Sequence, residues 1–210
     1  MRCLRQNLWW KKYGKPLMDV MEFYKDESIV KDVNYTFIAL MPKVKRPTTM
    51  GDFRPISLVG LIYKILAKIL TNRIKRVMNT AIGDFQMAFI EGRKILDSFV
   101  IAEEIINKWK RENEGGVAIK LDFEKAYDSI DHRFLDDVLS CMGFGVKWRG
   151  WIKKCVSSPM LSVLVNGNLT PQFGIQRVLR QRDPLSPFLF NITAEVLSHL
   201  FIKATKFGLF

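Results

Sequence analysis

The spacing of apolar residues changes several times along this chain, and each spacing predicts a different kind of element. Residues 61–78 and 95–109 repeat apolar side chains every three or four positions, which is typical of amphipathic helices. The apolar side chains of 95–109 are expected to face the core. Residues 35–41 favour a short strand, and residues 134–142 favour a further helix. The chain is therefore expected to mix helices with strands.

The segment 117–123 has the alternation expected of a strand with one buried face. Its apolar positions are Val117, Ile119, Leu121 and Phe123, and the positions between them are Ala118, Lys120 and Asp122. Asp122 is therefore expected on the other face, near the end of the strand, where its carboxylate can reach into a cleft. A carboxylate there, in a basic chain, suggests metal-ion chemistry on a polyanion. The alternative is a surface aspartate that begins a turn.

Turn signals organise much of the remaining chain. Asn166-Gly167 separates the segments 161–165 and 169–173, and this dipeptide strongly favours a β-hairpin. Residues 43–51 are rich in Pro, Thr and Lys, which predicts a loop at the tip of a hairpin. Pro184 is expected to open a final apolar helix that runs to about residue 204.

The charge of the chain points to a class of partner. Its 33 Lys and Arg residues exceed its 21 Asp and Glu residues, which gives a formal net charge of +12. Such an excess indicates a polyanion, either nucleic acid or an anionic membrane surface. Between Val33 and Gly83 the only acidic residue is Asp52, so the positive charge is concentrated in this part of the sequence.

Part of this positive charge lies on the predicted helix 61–78. Lys64, Lys68 and Lys75 occupy the side opposite its apolar stripe. A face with a single sign of charge is better interpreted as a track for phosphate groups than as an ordinary solvated face. A helix on a membrane surface is the least favoured interpretation, because this stretch has no tryptophan or phenylalanine for the interface.

Other residue types exclude several functions. The three cysteines are unevenly spaced and fit a reducing compartment better than a disulfide framework or a zinc site. With only His132 and His199 present, a histidine-based metal or nucleophile site is not expected. No apolar run approaches the roughly 18 residues of a membrane span. We therefore expect a soluble intracellular protein with no membrane partner. The basic run at 43–46 is too short to distinguish nucleus from cytoplasm.

Four sequence blocks carry a family resemblance. They are FRPISL at 53–58, QMAFIEGR at 86–93, AIKLDFEKAYD at 118–128 and LRQRDPLSPFLF at 179–190. In this order they closely resemble the reverse transcriptase of LINE-type non-LTR retrotransposons, particularly the plant copies. The resemblance covers nearly all of residues 20–210. It implies an α+β right-hand polymerase fold with fingers and an incomplete palm, and with the thumb absent.

The chain is expected to divide into three parts. The sequence of residues 1–30 predicts a polar helical lead-in in which Trp9 and Trp10 pack, and the resemblance implies the other two parts. Residues 31–115 correspond to the fingers and upper palm. Residues 116–210 correspond to a partial palm with the first catalytic strand, a helix, a hairpin and the helix that grips the template.

A metal site follows from the same resemblance. Asp122 corresponds to the first metal-binding aspartate of the polymerase, and the backbone carbonyl of Phe123 to a further ligand. The expected cofactor is Mg²⁺, used as a pair of ions that activate the primer hydroxyl and hold the leaving pyrophosphate. Oxygen ligands of this kind suit magnesium.

The expected partners are an RNA template, a DNA primer and a dNTP, and the oligomeric state stays open. Tyr127 corresponds to the ring under the incoming sugar, with a half-buried palm tyrosine as the alternative. Arg54 and Arg93 correspond to basic positions that meet triphosphate or template backbone, with an ordinary salt bridge as the alternative. Gln181 corresponds to a contact with the incoming nucleotide, and Ser186 to the start of the helix under the template.

Two departures from the family pattern bear on activity. The family completes its metal site with an Asp-Asp pair on a later hairpin, and the sequence stops at Phe210 before that hairpin. The similar-looking Asp136-Asp137 is expected to be the solvated face of a helix. The second departure is Arg182, where the family has glycine, as it also does at Val178. Glycine serves positions with positive φ or close contact with a ligand, so Arg182 either damages template binding or reaches a phosphate, and damage is favoured.

The sequence therefore predicts a reverse-transcriptase fragment that is catalytically inactive alone, because one carboxylate cannot hold two Mg²⁺ ions. The alternatives are a non-enzymatic module that still binds RNA or DNA, and an inert transposon-derived product. A viral RNA-dependent RNA polymerase and an intron maturase are weaker alternatives, and Tyr127 argues against both.

Overall fold

The computed structural model describes residues 20, 22–25, 31–113, 117–123, 125–175 and 177–209. Within these ranges the longer helices are α1 (Leu61–Ala81), α2 (Ile95–Glu112), α3 (His132–Cys141), α4 (Val146–Ser157) and α5 (Ser186–Lys206). The strands are β1 (Tyr35–Pro42), β2 (Phe53–Val59), β3 (Met160–Val165), β4 (Asn168–Leu169) and β5 (Phe173–Gly174). The predicted lead-in, with Trp9 and Trp10, lies outside the described residues except for helical positions 20 and 22–25.

The sheet has the strand order β2-β1-β3-β4, and β5 also pairs with β3. β1 and β2 form an antiparallel hairpin, closed where the Lys43 N–H donates to the Asp52 carbonyl at 2.7 Å. The predicted strand at 35–41 and the loop at 43–51 are therefore confirmed. The sequence pattern does not predict β2, because Pro55 lies within this strand. Its position at the edge of the sheet tolerates a residue that cannot donate a ladder hydrogen bond.

The predicted Asn166-Gly167 hairpin is confirmed. Both residues have positive φ, 50° and 81°, as a two-residue turn with matching strand twist requires. The turn joins β3 to β4, which are paired from Leu164 and Leu169 onward. β1 runs parallel to β3, with Tyr35 opposite Met160, so the whole chain from β2 to α4 is the crossover between these two strands.

The core lies where α1 meets α3, α4 and α5. The buried face of α1 is formed by Tyr63, Leu66, Ala67, Leu70, Thr71, Ile74 and Met78. It shares one cluster of buried residues with Leu135 and Leu139 of α3, Ile152 of α4, and Leu189 and Ile192 of α5. The helix prediction for 61–78 is thus confirmed. Its buried stripe is narrower than predicted, since Leu61, Ile65 and Val77 are exposed.

The predicted strand at 117–123 is wrong in this structure. The segment has no regular secondary structure, and its predicted buried positions are exposed, with Val117 at 81% and Ile119 at 75%. A strand exists only where another strand supplies hydrogen bonds, and no described strand pairs with this segment. The alternation of apolar and polar residues shows that the segment is compatible with a strand, but it does not show whether a second strand lies beside it.

Helix α2 forms as predicted, but the prediction that its apolar side faces the core is wrong. None of its residues is buried, and Phe99 is 68% exposed. The side chains expected to face inward were Ile95, Phe99, Ala102, Ile105, Ile106 and Trp109. Helical spacing defines a face, but burial of that face depends on a second element that packs against it.

Among the described residues, no helix is long and apolar enough to cross a membrane.

Candidate functional site

The segment 177–186, which joins β5 to α5, is fixed at its first end by the chain around residue 130. The Val178 N–H donates to the Ile130 carbonyl at 3.2 Å, and the Leu179 N–H donates to the Tyr127 carbonyl at 2.7 Å. The Val178 carbonyl lies 3.1 Å from His132 Nε2. Two of the four predicted sequence blocks, 118–128 and 179–190, are thereby brought together.

Arg180 lies at the centre of this segment and is almost completely buried. Its Nη1 donates to Asn34 Oδ1 at 2.7 Å and to Thr36 Oγ1 at 3.1 Å. Its Nη2 donates to the Cys155 carbonyl at 3.1 Å and pairs with Asp183 at 3.3 Å. The side chains of Arg180 and Asp183 are each 4% exposed. The guanidinium therefore connects β1 with α4 and with the turn that precedes α5.

Tyr63 of α1 completes this buried network. Its ring lies 3.8 Å from the Arg180 guanidinium carbon, and its hydroxyl donates to Asp183 Oδ2 at 2.7 Å. Asp183 Oδ1 accepts from the Leu185 N–H at 2.9 Å. Burial raises the pKa of Tyr63 well above its ordinary value and raises the pKa of the Cys155 thiol to about 12. Both groups thus stay protonated at neutral pH, and Asp183 is the charge partner of Arg180.

Two backbone positions in this segment have conformations suited to glycine. Val178 has φ of 99° and Arg182 has φ of 68°. These are the two positions where the sequence resemblance implied glycine in the family. Positive φ brings the Cβ atom against the backbone, and for a β-branched residue such as Val178 it is a true outlier. The Arg182 side chain is exposed, so it lies outside the buried network that its neighbours form.

The predicted substrate residues lie beside this segment. The Tyr127 ring packs 5.4 Å from the Phe190 ring, and burial raises the pKa of Tyr127. Gln181 is half-buried, and Ser186 is buried at the first position of α5. The Phe123 ring lies 6.3 Å from Phe190, which brings the chain next to Asp122 towards the same helix.

Asp122 itself is exposed. Within the described ranges, no group of three His, Cys, Asp or Glu residues is placed to hold a metal ion. The Asp122 carboxylate and the Phe123 carbonyl therefore supply oxygen donors of the right chemistry but too few carboxylates for a pair of divalent ions. The described residues do not fit a complete two-ion site.

Residues 41–210 match the family described as "Reverse transcriptase (RNA-dependent DNA polymerase)". The chain belongs to the reverse transcriptase family. Family members normally use a divalent metal and bind nucleic acid, and their domain has the polymerase fold. The mixed α/β architecture of the chain agrees with that fold.

Curated relatives of this reverse transcriptase chain come from mobile elements. It is 29% identical to "Transposon TX1 uncharacterized 149 kDa protein" of Xenopus laevis, over 89% of the chain and 14% of that protein. It is 25% identical to the "Retrovirus-related Pol polyprotein from type-1 retrotransposable element R2" of Popillia japonica, over 75% of the chain and 22% of the polyprotein. It is 27% identical to the R2DM polyprotein of Drosophila melanogaster, over 77% of the chain and 15% of that polyprotein.

The chain thus spans less than a quarter of the length of these relatives. The resemblance to non-LTR retrotransposon reverse transcriptases is confirmed by them. The plant-like character of the reverse transcriptase sequence stays a prediction.

The two predicted phosphate-binding arginines of the reverse transcriptase chain differ in their surroundings. Arg54 lies exposed on β2, opposite Met41. The Arg93 side chain is only 16% exposed and pairs with Asp84 at 3.7 Å. Its guanidinium donates to the carbonyls of Gln86 at 2.8 Å and Ile82 at 3.4 Å. Arg93 therefore holds the loop after α1 in the described structure, and a phosphate contact would compete with these bonds.

Sequence reasoning missed the residues of α5 that hold the other side of this loop. Asn191 accepts from Gln86 Nε2 at 3.1 Å and donates to the Ala88 carbonyl at 2.7 Å. Glu195 Oε1 accepts from the Gly83 N–H at 3.1 Å. Asn191 and Glu195 are both buried. Polar residues at core positions of an apolar helix were the available signal, since buried polar groups need hydrogen-bond partners.

Asp136 was predicted to lie on the solvated face of a helix, but in the structure it is bound to a neighbouring helix. Its two carboxylate oxygens each accept from Arg149 of α4 at 2.8 Å, whereas Asp137 is exposed as expected. These hydrogen bonds lower the pKa of Asp136. The ion pair joins α3 to α4 and gives the Asp-Asp dipeptide a structural role.

Replacement of Asp136 by asparagine is expected to lower stability at neutral pH by about 1 kcal/mol, because a bidentate pair is lost. A carboxyl with a lower pKa in the folded state adds stability above its unfolded pKa and loses it as pH falls through the folded pKa. The variant should therefore differ from the parent at neutral pH and approach it in acid. Urea unfolding across this pH range measures the difference, with Asp137→Asn as the exposed control. A constant difference at all pH values would contradict a stabilising role for the ion pair.

Proposed function

We propose that this chain forms the fingers and part of the palm of an RNA-directed DNA polymerase from a non-LTR retrotransposon. The observation that carries the proposal is the reverse transcriptase match over residues 41–210. In this proposal residues 31–115 belong to the fingers and upper palm, residues 116–210 belong to a partial palm, and 1–30 form a helical lead-in. The family match favours this function over a non-enzymatic binding module and over an inert product.

The proposed substrates are an RNA template, a DNA primer and a dNTP. Tyr127 is proposed to lie under the incoming sugar and Gln181 to contact the nucleotide. The hydrogen bond from the Leu179 N–H to the Tyr127 carbonyl supports a shared role, since it fixes the two segments relative to each other. Ser186 begins α5, the proposed template helix, and Arg54 is the exposed candidate for a phosphate contact.

The exposed face of α1 supports binding to nucleic acid. Lys64, Lys68 and Lys75 are exposed there, and the sequence of α1 contains no acidic residue. None of the three forms an ion pair with another described residue. A row of cations without carboxylate partners attracts a phosphate backbone and makes its binding depend on salt.

Asp122 and the Phe123 carbonyl are proposed as the part of the divalent-metal site that this chain supplies. When bound, such ions polarise the reacting phosphate and lower the pKa of the attacking hydroxyl. The described residues contain no group of three His, Cys, Asp or Glu placed around such ions, so we derive no catalytic step from this site. As part of a polymerase, and not as a dedicated binding module, the isolated chain is proposed to bind its substrates without turning them over.

The proposal is tested by binding and by primer extension. Fluorescence anisotropy with an RNA template annealed to a labelled DNA primer should show binding that weakens as salt rises, with a slope of about −0.9 per neutralised phosphate on a duplex. Primer extension with dNTP and Mg²⁺ should show no incorporation above the EDTA control, for the parent and for Asp122→Asn alike. Absence of binding at low salt would contradict the proposed substrate. Template-dependent extension abolished by Asp122→Asn would instead show that the 210-residue chain holds its metal ions.

A further inference from the structure

Two cations meet at one buried tryptophan, at the junction of α1 and α4. The guanidinium carbon of Arg73 lies 5.7 Å from the centroid of the Trp151 ring and 5.2 Å from that of Tyr24. Lys147 Nζ lies 5.7 Å from the same Trp151 ring. Trp151 is only 8% exposed, whereas Arg73 and Lys147 are exposed. The buried ring therefore has two exposed cations beside it.

No carboxylate of the described chain neutralises these two charges. Neither Arg73 nor Lys147 takes part in the ion pairs formed there. A cation against an aromatic ring at an exposed site gains only about 0.5–1 kcal/mol. Two like charges held near one ring also repel each other. An anion between them would remove this repulsion.

The same junction contains buried hydrogen-bond donors without acceptors. Trp151 Nε1, Trp148 Nε1 and the Tyr24 hydroxyl are all buried and have no hydrogen-bond partner among the described residues. An unsatisfied buried polar group costs about 1–3 kcal/mol, so three at one place are unusual. The indole N–H groups can only donate. The two exposed cations that lack a carboxylate indicate an anionic ligand, and the unpaired donors lie buried beneath them, where only a rearrangement of the rings would let them reach its oxygens.

The rings beside these cations favour a nucleic acid over a simple anion. Phe144 and Trp148 are half-buried, and their rings are nearly parallel, with an interplanar angle of 25° and centroids 6.4 Å apart. Half-buried aromatic rings beside exposed basic side chains are a combination that single-stranded nucleic-acid sites use, through base stacking and phosphate contacts. Lys154, two helical turns after Lys147, is also exposed and extends the positive charge along α4.

We infer that Arg73, Lys147, Trp148 and Trp151 form a binding site for single-stranded nucleic acid, with Arg73 and Lys147 on its phosphate groups. None of these residues is among those proposed to contact the template, primer or nucleotide. The inference rests on the nucleic-acid partner of the proposed function and adds a second contact surface. A strand leaving the polymerase cleft, or a single-stranded region of the RNA, has the required chemistry.

The test compares two double variants of equal charge. Arg73→Gln with Lys147→Gln removes the proposed phosphate contacts, and Lys203→Gln with Lys206→Gln removes two exposed charges from the last turn of α5. Binding of a fluorescein-labelled oligouridylate is followed by anisotropy over a range of salt. The first variant should raise Kd by about tenfold at low salt. It should also reduce the magnitude of the salt slope by about 1.4, because each of the two lost phosphate contacts contributes about 0.7 on a single strand. The second should match the parent.

Two further measurements distinguish a nucleic-acid site from a membrane contact and from misfolding. Oligouridylate should quench indole fluorescence in the parent and less in Trp148→Phe, because a base stacks on that ring. Equal Kd values and equal salt slopes for oligouridylate in the two double variants would contradict the proposed site, even if the template–primer duplex still binds. Loss of binding to phosphatidylserine vesicles without loss of oligouridylate binding would also overturn it, in favour of a membrane contact. Thermal unfolding checks that each variant is folded. If the double variant Arg73→Gln with Lys147→Gln does not fold, the single variant Lys147→Gln replaces it in the binding measurement.

Discussion

Replacement of Arg180 by alanine is expected to destabilise the protein by about 3–5 kcal/mol, because it leaves the Asp183 charge buried without its partner. Arg180 makes hydrogen bonds to Asn34, Thr36 and Cys155 in addition to this ion pair. All of these acceptors would lose a donor in a region that water does not reach. The loss equals a large part of the stability of an ordinary domain, which is about 5–15 kcal/mol.

Urea unfolding of Arg180→Ala and of the control Arg177→Ala measures this effect. Arg177 pairs with Asp131 at 3.4 Å, but the two side chains are 70% and 40% exposed, so the control should change stability by less than about 1 kcal/mol. Tyr63→Phe keeps the ring under the guanidinium and removes only its hydroxyl donor, so its effect should fall between the two. Equal stability of Arg180→Ala and Arg177→Ala would show that the buried network does not hold the segment before α5.

Replacement of Val178 and of Arg182 by glycine is expected to stabilise the protein. Val178 and Arg182 have φ of 99° and 68°, and a side chain in such a conformation costs about 1–3 kcal/mol. Glycine removes that strain but adds about 0.5–1 kcal/mol of backbone entropy to the unfolded chain. The net gain should be about 1–2 kcal/mol for Val178→Gly and about 1 kcal/mol for Arg182→Gly, where the side chain is not β-branched.

Thermal unfolding of the double variant should show a midpoint higher by several degrees, at about 2–4 °C for each kcal/mol in a chain of this size. Val165→Gly is the matched control. Val165 is a partly exposed strand residue outside the set with positive φ, so glycine there should destabilise. A double variant less stable than its parent would mean that contacts of the Val178 side chain outweigh the backbone strain. In that case the two positions would not be glycine sites in this chain.

The local elements were predictable where the sequence itself contains the cause. Helix α1 follows from a stripe of apolar residues spaced for one buried face, and the structure buries Leu66, Leu70 and Ile74 of that stripe. The β3–β4 hairpin follows from Asn166-Gly167, since those two residues accept the positive φ that the turn requires. The family followed from four blocks in register, and two of them meet at the hydrogen bond between Leu179 and Tyr127.

The candidate site was only partly predictable, because the roles of its arginines depend on partners far away in sequence. Arg180 was not singled out, although it binds Asn34 and Thr36, which lie 146 and 144 positions earlier in the sequence. Arg93 was expected to meet phosphate, yet its guanidinium holds the carbonyls of its own loop. A sequence shows that a guanidinium is present, but the acceptors it meets are set by the way the helices pack.

The sequence by itself determined the family of this protein, its basic surface, and the helices and turns whose residues interact within a few positions of each other. The tertiary structure decided which apolar faces are covered. It packs α1 against α5, whereas α2 and the segment 117–123 remain exposed among the described residues. It also decided that Arg180 and Asp183 form a buried pair beneath Tyr63. The physical reason is that periodicity records local spacing, while burial and pairing require a second surface that lies elsewhere in the chain.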